Sequence, residues 1–200
     1  MIRVLYNPHA GQGWTAEKEA EIRAFYPSEE CVFYDMTTVS YPAFFANTLA
    51  KDERLMIVGG DGTLNRFINE TAGIQIQNEI TYWHGGSGND FIKLFGADCR
   101  AFSDLKSLIC GKELELDYME TDRGISLNVF SVGVDARIAD GMQKYKRIPA
   151  LQGKTAYNIS TVENLLRGLS EPYEILVDGQ RFEGKYCLVL AGNGRFYGGG

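Results

Sequence analysis

Three short stretches combine glycine with amide, hydroxyl and carboxylate side chains at close spacing. They are Asn7-Pro8-His9-Ala10-Gly11-Gln12-Gly13, Gly59-Gly60-Asp61-Gly62-Thr63-Leu64-Asn65 and Gly85-Gly86-Ser87-Gly88-Asn89-Asp90. Glycine lets successive backbone N–H groups turn toward one anion with no Cβ in the way. Thr63 adds a hydroxyl donor and Asn65 a side-chain amide. Such loops suit phosphate binding. The same letters also spell ordinary turns, and Asp61-Gly62 taken alone is a hairpin signal.

The flanking residues separate the two readings. Leu55-Met56-Ile57-Val58 is short and wholly apolar, which suits a buried parallel strand. Leu64, Phe67 and Ile68 then recur at i, i+3 and i+4, so a helix follows. A hairpin joins two strands, whereas this loop joins a strand to a helix, whose N-terminus attracts an anion. Residues 2–6 and 79–83 read as strands ahead of the first and third loops, and residues 31–34 as a further short strand. Helices are expected over residues 15–26, 41–52, 91–95 and 103–110. This alternation implies an α/β fold with a parallel sheet, in which ligands bind at the carboxyl ends of the strands.

After Gly111 the pattern changes. Leu114, Leu116 and Tyr118 alternate with charged residues, Asp122-Arg123-Gly124 reads as a turn, and Ile125, Leu127 and Val129 alternate beyond it. A helix is expected over residues 150–169, and Asp178-Gly179 joins two further strand-like runs at 174–177 and 186–190. The expected organisation is an α/β domain over residues 1–111 and an antiparallel, β-rich domain over 112–200.

Composition narrows the function. Hydrophobic content of 44% and charge of 23% support a globular core. No apolar run approaches the ~20 residues that span a bilayer, and the N-terminus has no signal-peptide pattern, so a cytoplasmic protein is expected. The four cysteines lack metal-ligand spacing and read as reduced thiols; no metal-ligating cluster is expected. A net charge of −6 argues against nucleic acid as a partner. One competing motif is Gly11-Gln12-Gly13-Trp14-Thr15-Ala16, a dinucleotide-type pattern with Asp35 near the place of a ribose-binding acid. Asn7-Pro8 interrupts the tight turn that pattern needs, and it leaves the other two loops unexplained.

With these motifs together, the chain resembles the diacylglycerol kinase catalytic-domain family, which includes sphingosine kinases and bacterial soluble lipid kinases. NPHAG (7–11), GGDGTLN (59–65) and HGGSGND (84–90) match its NPxxG, GGDGTxN and PxGTxND loops in order. Asn128, Ser131, Gly133, Asp135 and Ala136 match its FNxxSxGxDA segment, and Asn193 with Tyr197-Gly198-Gly199-Gly200 its N…YGGG segment. His84 stands where the family has proline, which makes that loop less rigid, and Ser87 where it has threonine. GGDGT alone is shared with NAD kinases.

The resemblance implies a nucleotide-binding α/β domain, an incomplete β-rich second domain, and an ATP-dependent lipid kinase, most simply one converting diacylglycerol to phosphatidic acid. The alternatives are an NAD kinase-like enzyme and a nucleotide-binding module without transfer activity. It implies nucleotide contacts at Asn7, Thr38 (or Thr37), Gly59, Gly60, Asp61, Gly62, Thr63, Leu64, Asn65, Ser87 and Asn89, with Asp61 catalytic. A carboxylate beside phosphates needs a cation between them, so Mg²⁺ is expected with ATP. Asp61 then acts through Mg²⁺ and water, or near the acceptor hydroxyl. Asn89 and Asp90 fix their loop, and Asp90 fits equally well as a helix N-terminal acid. His9 and His84 are assigned no catalytic role. The lipid partner implies transient, peripheral contact with a membrane surface, for which the basic residues Arg137, Lys144, Lys146, Arg147 and Lys154, with Ile148 and Leu151, form a candidate patch. The family continues with further strands and an acidic base beyond the position of Gly200. The expectation is therefore a chain that binds ATP, transfers phosphate poorly, and can form a homo-oligomer through an open sheet edge.

Overall fold

A computed structural model describes residues 1–86, 90–146 and 154–198. The chain divides into two units, residues 1–128 with 193–200, and residues 129–192.

In the first unit, β1 (Ile2–Tyr6), β2 (Cys31–Asp35), β3 (Arg54–Gly59) and β4 (Ile80–His84) form a parallel sheet in the order β2-β1-β3-β4. The helices between them are α1 (Ala16–Phe25), α2 (Tyr41–Asn47) and α3 (Asp61–Glu70). The chain runs outward from β1 to β2, then returns past β1 to β3. The loops after β1 and β3 therefore diverge, and a crevice opens at the carboxyl ends of those two strands.

The uniform apolar character of β3 follows from burial on both faces. Leu55 and Ile57, with Leu5, pack on one face with Tyr41 and Phe44 of α2 and Leu64 and Phe67 of α3. Met56 and Val58, with Ile2 and Val4, pack on the other face with Ile22 and Tyr26. Each such side chain contributes about 1.5–3 kcal/mol when fully buried.

Several elements are shorter than the sequence pattern suggests. Helix α2 stops at Asn47 rather than near residue 52, because the amides of Thr48 and Leu49 both turn to the Phe44 carbonyl. The Ala50 amide then bonds the Glu53 carboxylate at 2.9 Å, which directs the chain into β3. The helix expected over 91–95 is α4 (Asp90–Lys93), followed by a 3-10 helix, Gly96–Ser103, and α5 (Leu105–Ile109). Residues 112–118 form no strand, and Leu114, Leu116 and Tyr118 are exposed. The antiparallel pairing there is confined to β5 (Met119–Thr121) and β6 (Gly124–Ser126), joined at Asp122-Arg123.

The boundary expected near Gly111 falls inside the first unit. Asn69, on α3, is one reason that β6 belongs there. Its Nδ2 donates to the Ile125 carbonyl at 2.7 Å and its Oδ1 accepts from the Ile125 amide at 2.8 Å, so a side chain substitutes for a neighbouring strand. Asn193 returns to the same unit: its Nδ2 donates to the carbonyls of Asp117 and Leu127, at 2.9 and 3.0 Å.

In the second unit, β7 (Val129–Gly133) pairs antiparallel with β10 (Leu188–Gly192), and β8 (Glu171–Val177) with β9 (Gln180–Tyr186). Asp178 and Gly179 both have positive φ, 49° and 80°, as a two-residue turn matching strand twist requires. Between β7 and β8 lie α6 (Val134–Lys146), which the sequence pattern did not reveal, and α7 (Lys154–Arg167). Gly141 lets these helices approach closely, facing Ser160, whose hydroxyl donates to the Ile138 carbonyl at 2.9 Å.

At the opposite end of the sheet from the crevice, Arg3 Nε and Nη2 donate to both oxygens of the buried Glu53 carboxylate at 3.0 and 2.9 Å. The Arg3 hydrogen bond holds the Glu53 carboxyl below its ordinary range. A carboxyl lowered in the folded state stabilises the fold above its unfolded pKa and loses that contribution as pH falls through the folded value. Glu53→Gln is expected to destabilise the chain by about 2 kcal/mol at pH 7. The difference from wild type should begin to shrink as pH falls below the ordinary carboxylate value, about 4.3, and close only below the lowered folded pKa of Glu53, where both side chains are neutral. Urea unfolding at the two pH values measures this; an equal deficit at both would show that the ion pair contributes nothing.

Candidate functional site

The three glycine loops leave the carboxyl ends of β1, β3 and β4, which are neighbours in the sheet. They are fastened to one another mainly through backbone. The Gly85 amide donates to the Gly59 carbonyl at 2.9 Å, and the Asn7 amide to the Val58 carbonyl at 3.1 Å. A Cβ on Gly60 would lie 2.9 Å from the Gly86 Cα, one on Gly86 would lie 2.3 Å from the Gly60 Cα, and one on Gly11 would lie 2.4 Å from the Gly85 carbonyl oxygen. Glycine at these positions is required by the loops' own packing.

Asn7 is a brace. Its Oδ1 accepts from the His9 amide at 2.9 Å and its Nδ2 donates to Thr63 Oγ1 at 2.8 Å. Thr63 is buried and packs over Gly59, where a Cβ would lie 2.4 Å from its side chain. Asn7 and Thr63 thus tie the first loop to the second. Leu64 is buried in the core against α2, so only its backbone lies along the loop. Asn65 is exposed on the first turns of α3.

The N-terminus of α3 has no side-chain cap, because its N-cap residue is Gly60. Helix α1 contrasts with it, since Thr15 accepts there from the Lys18 amide. The amides of Thr63 and Leu64 both donate to the Gly60 carbonyl, at 2.9 and 3.1 Å, so among the described residues those of Asp61 and Gly62 are left to an external acceptor. Gly62 lies in this first turn with nothing within 4 Å of an added Cβ and no positive φ. Glycine is unfavourable in a helix, and nothing in the protein's own packing at Gly62 requires it. The space beside Gly62 is open among the described residues.

Asp61 is the first residue of α3. Its Oδ2 accepts from the Asp90 amide at 2.8 Å, which anchors the start of α4. Its Oδ1 is buried and has no hydrogen-bond partner among the described residues. Beneath the loop, the Tyr82 hydroxyl donates to the Gly59 carbonyl at 3.1 Å and lies 3.2 Å from His84 Nδ1. Burial pushes the Tyr82 phenol far upward, and the Asp61 charge adds to this. Burial lowers the His84 pKa, opposed by Asp61, so the ring is neutral at pH 7.

Thr38 lies at the end of the edge strand β2, where its hydroxyl and amide both donate to the Asp35 carbonyl, at 2.9 and 3.0 Å. The Thr37 hydroxyl and amide both bond Asp35 Oδ1, so that carboxylate is engaged within its own turn. Helix α1 begins only at Ala16, without the tight strand-to-helix turn of a dinucleotide motif. Ser87 and Asn89 lie outside the described residues, as do Gly199 and Gly200.

In the second unit, Ser131 Oγ donates to Asp135 Oδ2 at 2.8 Å. Of the basic patch expected near there, Arg137 is engaged internally with Glu171 at 2.7 Å and with the carbonyls of Gly168 and Leu169, which removes it from that surface. Arg147, Ile148 and Leu151 lie outside the described residues. Among the described residues, no helix is long and apolar enough to cross a membrane, and no group of three or more His, Cys, Asp or Glu side chains is placed to hold a metal ion.

Comparison with known proteins agrees with this geometry. Residues 1–121 match the family model described as diacylglycerol kinase catalytic domain. Residues 128–200 match the model described as YegS C-terminal NAD kinase beta sandwich-like domain. A Staphylococcus aureus (strain MRSA252) protein named "Putative lipid kinase" is 30% identical over 155 residues, 77% of this chain and 50% of that protein. The chain thus spans about half the length of the curated relatives it matches. A crystal structure of a diacylglycerol kinase from Bacillus anthracis str. Sterne is 25% identical with a TM-score of 0.63, covering 99% of this chain and 66% of that one. A second structure from the same organism, at 24% identity and a TM-score of 0.65, covers 99% of this chain and 68% of that one, and supports the fold.

The glycines of the site divide into two kinds, and melting temperatures should separate them. Gly60→Ala and Gly86→Ala place a Cβ against the opposing backbone and should destabilise by about 1–3 kcal/mol. Gly62→Ala meets nothing and should leave stability unchanged or raise it by up to about 1 kcal/mol. A Gly62→Ala loss as large as that of Gly60→Ala would contradict the open space above α3.

Proposed function

This chain belongs to the diacylglycerol kinase catalytic-domain family, whose model covers residues 1–121, and from that premise we propose that it takes part in ATP-dependent phosphorylation of a lipid hydroxyl. Diacylglycerol is the acceptor we favour, with phosphatidic acid as the product. The unit of residues 1–128 supplies the nucleotide-binding elements, and the second unit, residues 129–192, belongs to the lipid-kinase second domain. The observation that carries the reading is Asp61: one oxygen fixed by the Asp90 amide, the other buried without a partner among the described residues, at the uncapped N-terminus of α3.

A partnerless buried carboxylate oxygen is unfavourable unless a cation or donor meets it. That fits Mg²⁺ arriving with the nucleotide, held by Asp61 together with phosphate oxygens and water rather than by a protein cage. When bound, the ion would neutralise charge developing on the transferring phosphoryl group. The chain's own groups do the rest. The amides of Asp61 and Gly62 receive phosphate oxygens at the start of α3. Gly59, Gly60 and Gly86 hold the loops close enough to share one ligand. Asn7 and Thr63 keep the first and second loops in register, and Thr38, Asn65, Ser87 and Asn89 are further contacts for the nucleotide. Phosphoryl transfer asks mainly for this kind of positioning and charge neutralisation. The acceptor reaches the site by transient contact with a membrane surface.

Asp61→Asn tests the assignment. Asparagine keeps an oxygen for the Asp90 amide but removes the charge. In the wild type, ATP affinity measured by calorimetry should rise with Mg²⁺; in the variant this dependence should disappear. Transfer of labelled phosphate to diacylglycerol in mixed micelles should fall by about 10²–10³. Unchanged Mg²⁺ dependence and turnover would leave Asp61 as a loop anchor only. Transfer to NAD with none to any lipid in a panel would replace the lipid-kinase reading with an NAD kinase-like one.

A further inference from the structure

The three loops are poor in positive charge. Residues 7–13, 59–65 and 84–90 contain no lysine or arginine, and they include the carboxylates of Asp61 and Asp90. Backbone amides and one helix N-terminus supply only partial charges. A polyphosphate bound there needs a full cation from outside the loops.

Most of the cations on elements bordering the loops are matched to acids. Among the described residues, Arg23 pairs with Glu19 at 2.8 Å, Arg66 with Glu70 at 2.8 Å, and Lys93 lies 4.0 Å from Asp90. Lys18 is different. It sits in the first turns of α1, half-buried, and its side chain turns back over the first loop. The ammonium donates to the Gly13 carbonyl at 2.7 Å. The same ammonium lies 3.8 Å from where a side chain on Gly85 would begin, so it spans the first and third loops. Its bond to Gly13 uses one of three donors, and no carboxylate is paired with it among the described residues.

We propose that Lys18 is a binding residue for the polyphosphate tail of the nucleotide, its ammonium contacting non-bridging phosphate oxygens held over Gly85 and Gly86. This rests on the nucleotide reading above and adds to it a cation that none of the three loop motifs contains. The Gly13 carbonyl places the ammonium before ligand arrives, so little side-chain freedom is lost on binding. Lysine acts on phosphate as a point charge, so arginine at this position retains the charge.

The test is calorimetry on the 200-residue chain with ATP, inorganic tripolyphosphate and adenosine, at low and high salt, on wild type, Lys18→Gln and Lys18→Arg. Lys18→Gln should weaken ATP and tripolyphosphate at least about tenfold, leave adenosine within about twofold, and flatten the salt dependence of ATP binding. Lys18→Arg should recover most of the ATP affinity. Lys18→Gln binding ATP as tightly as wild type overturns the proposal while leaving the nucleotide site intact. Equal losses for adenosine and ATP overturn it too, since they mark a damaged loop. Wild type binding neither ATP nor tripolyphosphate overturns the nucleotide reading and this inference with it.

Discussion

Two glycine backbones in contact, Gly60 against Gly86, are the constraint on which the site depends. With a side chain at either position the loop after β3 and the loop after β4 separate, because the missing Cβ would lie within 3 Å of the opposing Cα. Their contact brings the Asp90 amide to Asp61 and the Gly85 amide to the Gly59 carbonyl. It also sets where α3 begins, and hence where its uncapped amides point. The sheet order supplies the rest: β1 and β3 are neighbours whose connections diverge, so the first loop borders the same crevice.

Much of this was legible in the sequence, for identifiable reasons. A four-residue apolar run is too short for a helix face and too uniform for a half-exposed strand, so β3 and its parallel neighbours followed. The Asp178-Gly179 pair specified its hairpin because both residues must adopt positive φ. What stayed hidden depends on tertiary contact. Glycine spelling does not distinguish Gly60, needed by the protein's own packing, from Gly62, around which nothing lies. Leu64 sits inside a binding motif yet packs in the core, since a helix that starts at the motif must bury one face. Leu114, Leu116 and Tyr118 alternate like a strand but are exposed, because pairing begins only at Met119. Lys18 lies outside all three motifs, and only the backward reach of its side chain over α1's first turn brings it to the loops.

The division of labour among the motif residues is also a structural result. Asn7 and Thr63 read as ligand contacts in sequence, yet both Asn7 polar ends are taken up by His9 and Thr63. A polar side chain in a loop can serve a site indirectly, by fixing the backbone that lines it. Asp61 is divided, with one oxygen held by the Asp90 amide and the other without a partner among the described residues. Among the described residues that asymmetry is a local sign of chemistry, because stability alone gives no reason to keep a buried carboxylate oxygen without a partner.

His84 shows how the same loop tolerates a departure. A proline there would fix φ and stiffen the exit of β4. Histidine gives up that restraint, but its Nδ1 lies 3.2 Å from the Tyr82 hydroxyl, which itself donates to the Gly59 carbonyl. A side-chain chain from β4 to the end of β3 thus takes over part of what a ring would impose. Burial keeps the imidazole neutral, so its ring nitrogen can join this network without adding a second buried charge beside Asp61. The loop's geometry is held by hydrogen bonds to backbone carbonyls, which leaves the amides of Asp61 and Gly62 without a partner among the described residues, and it is those that an anion would meet.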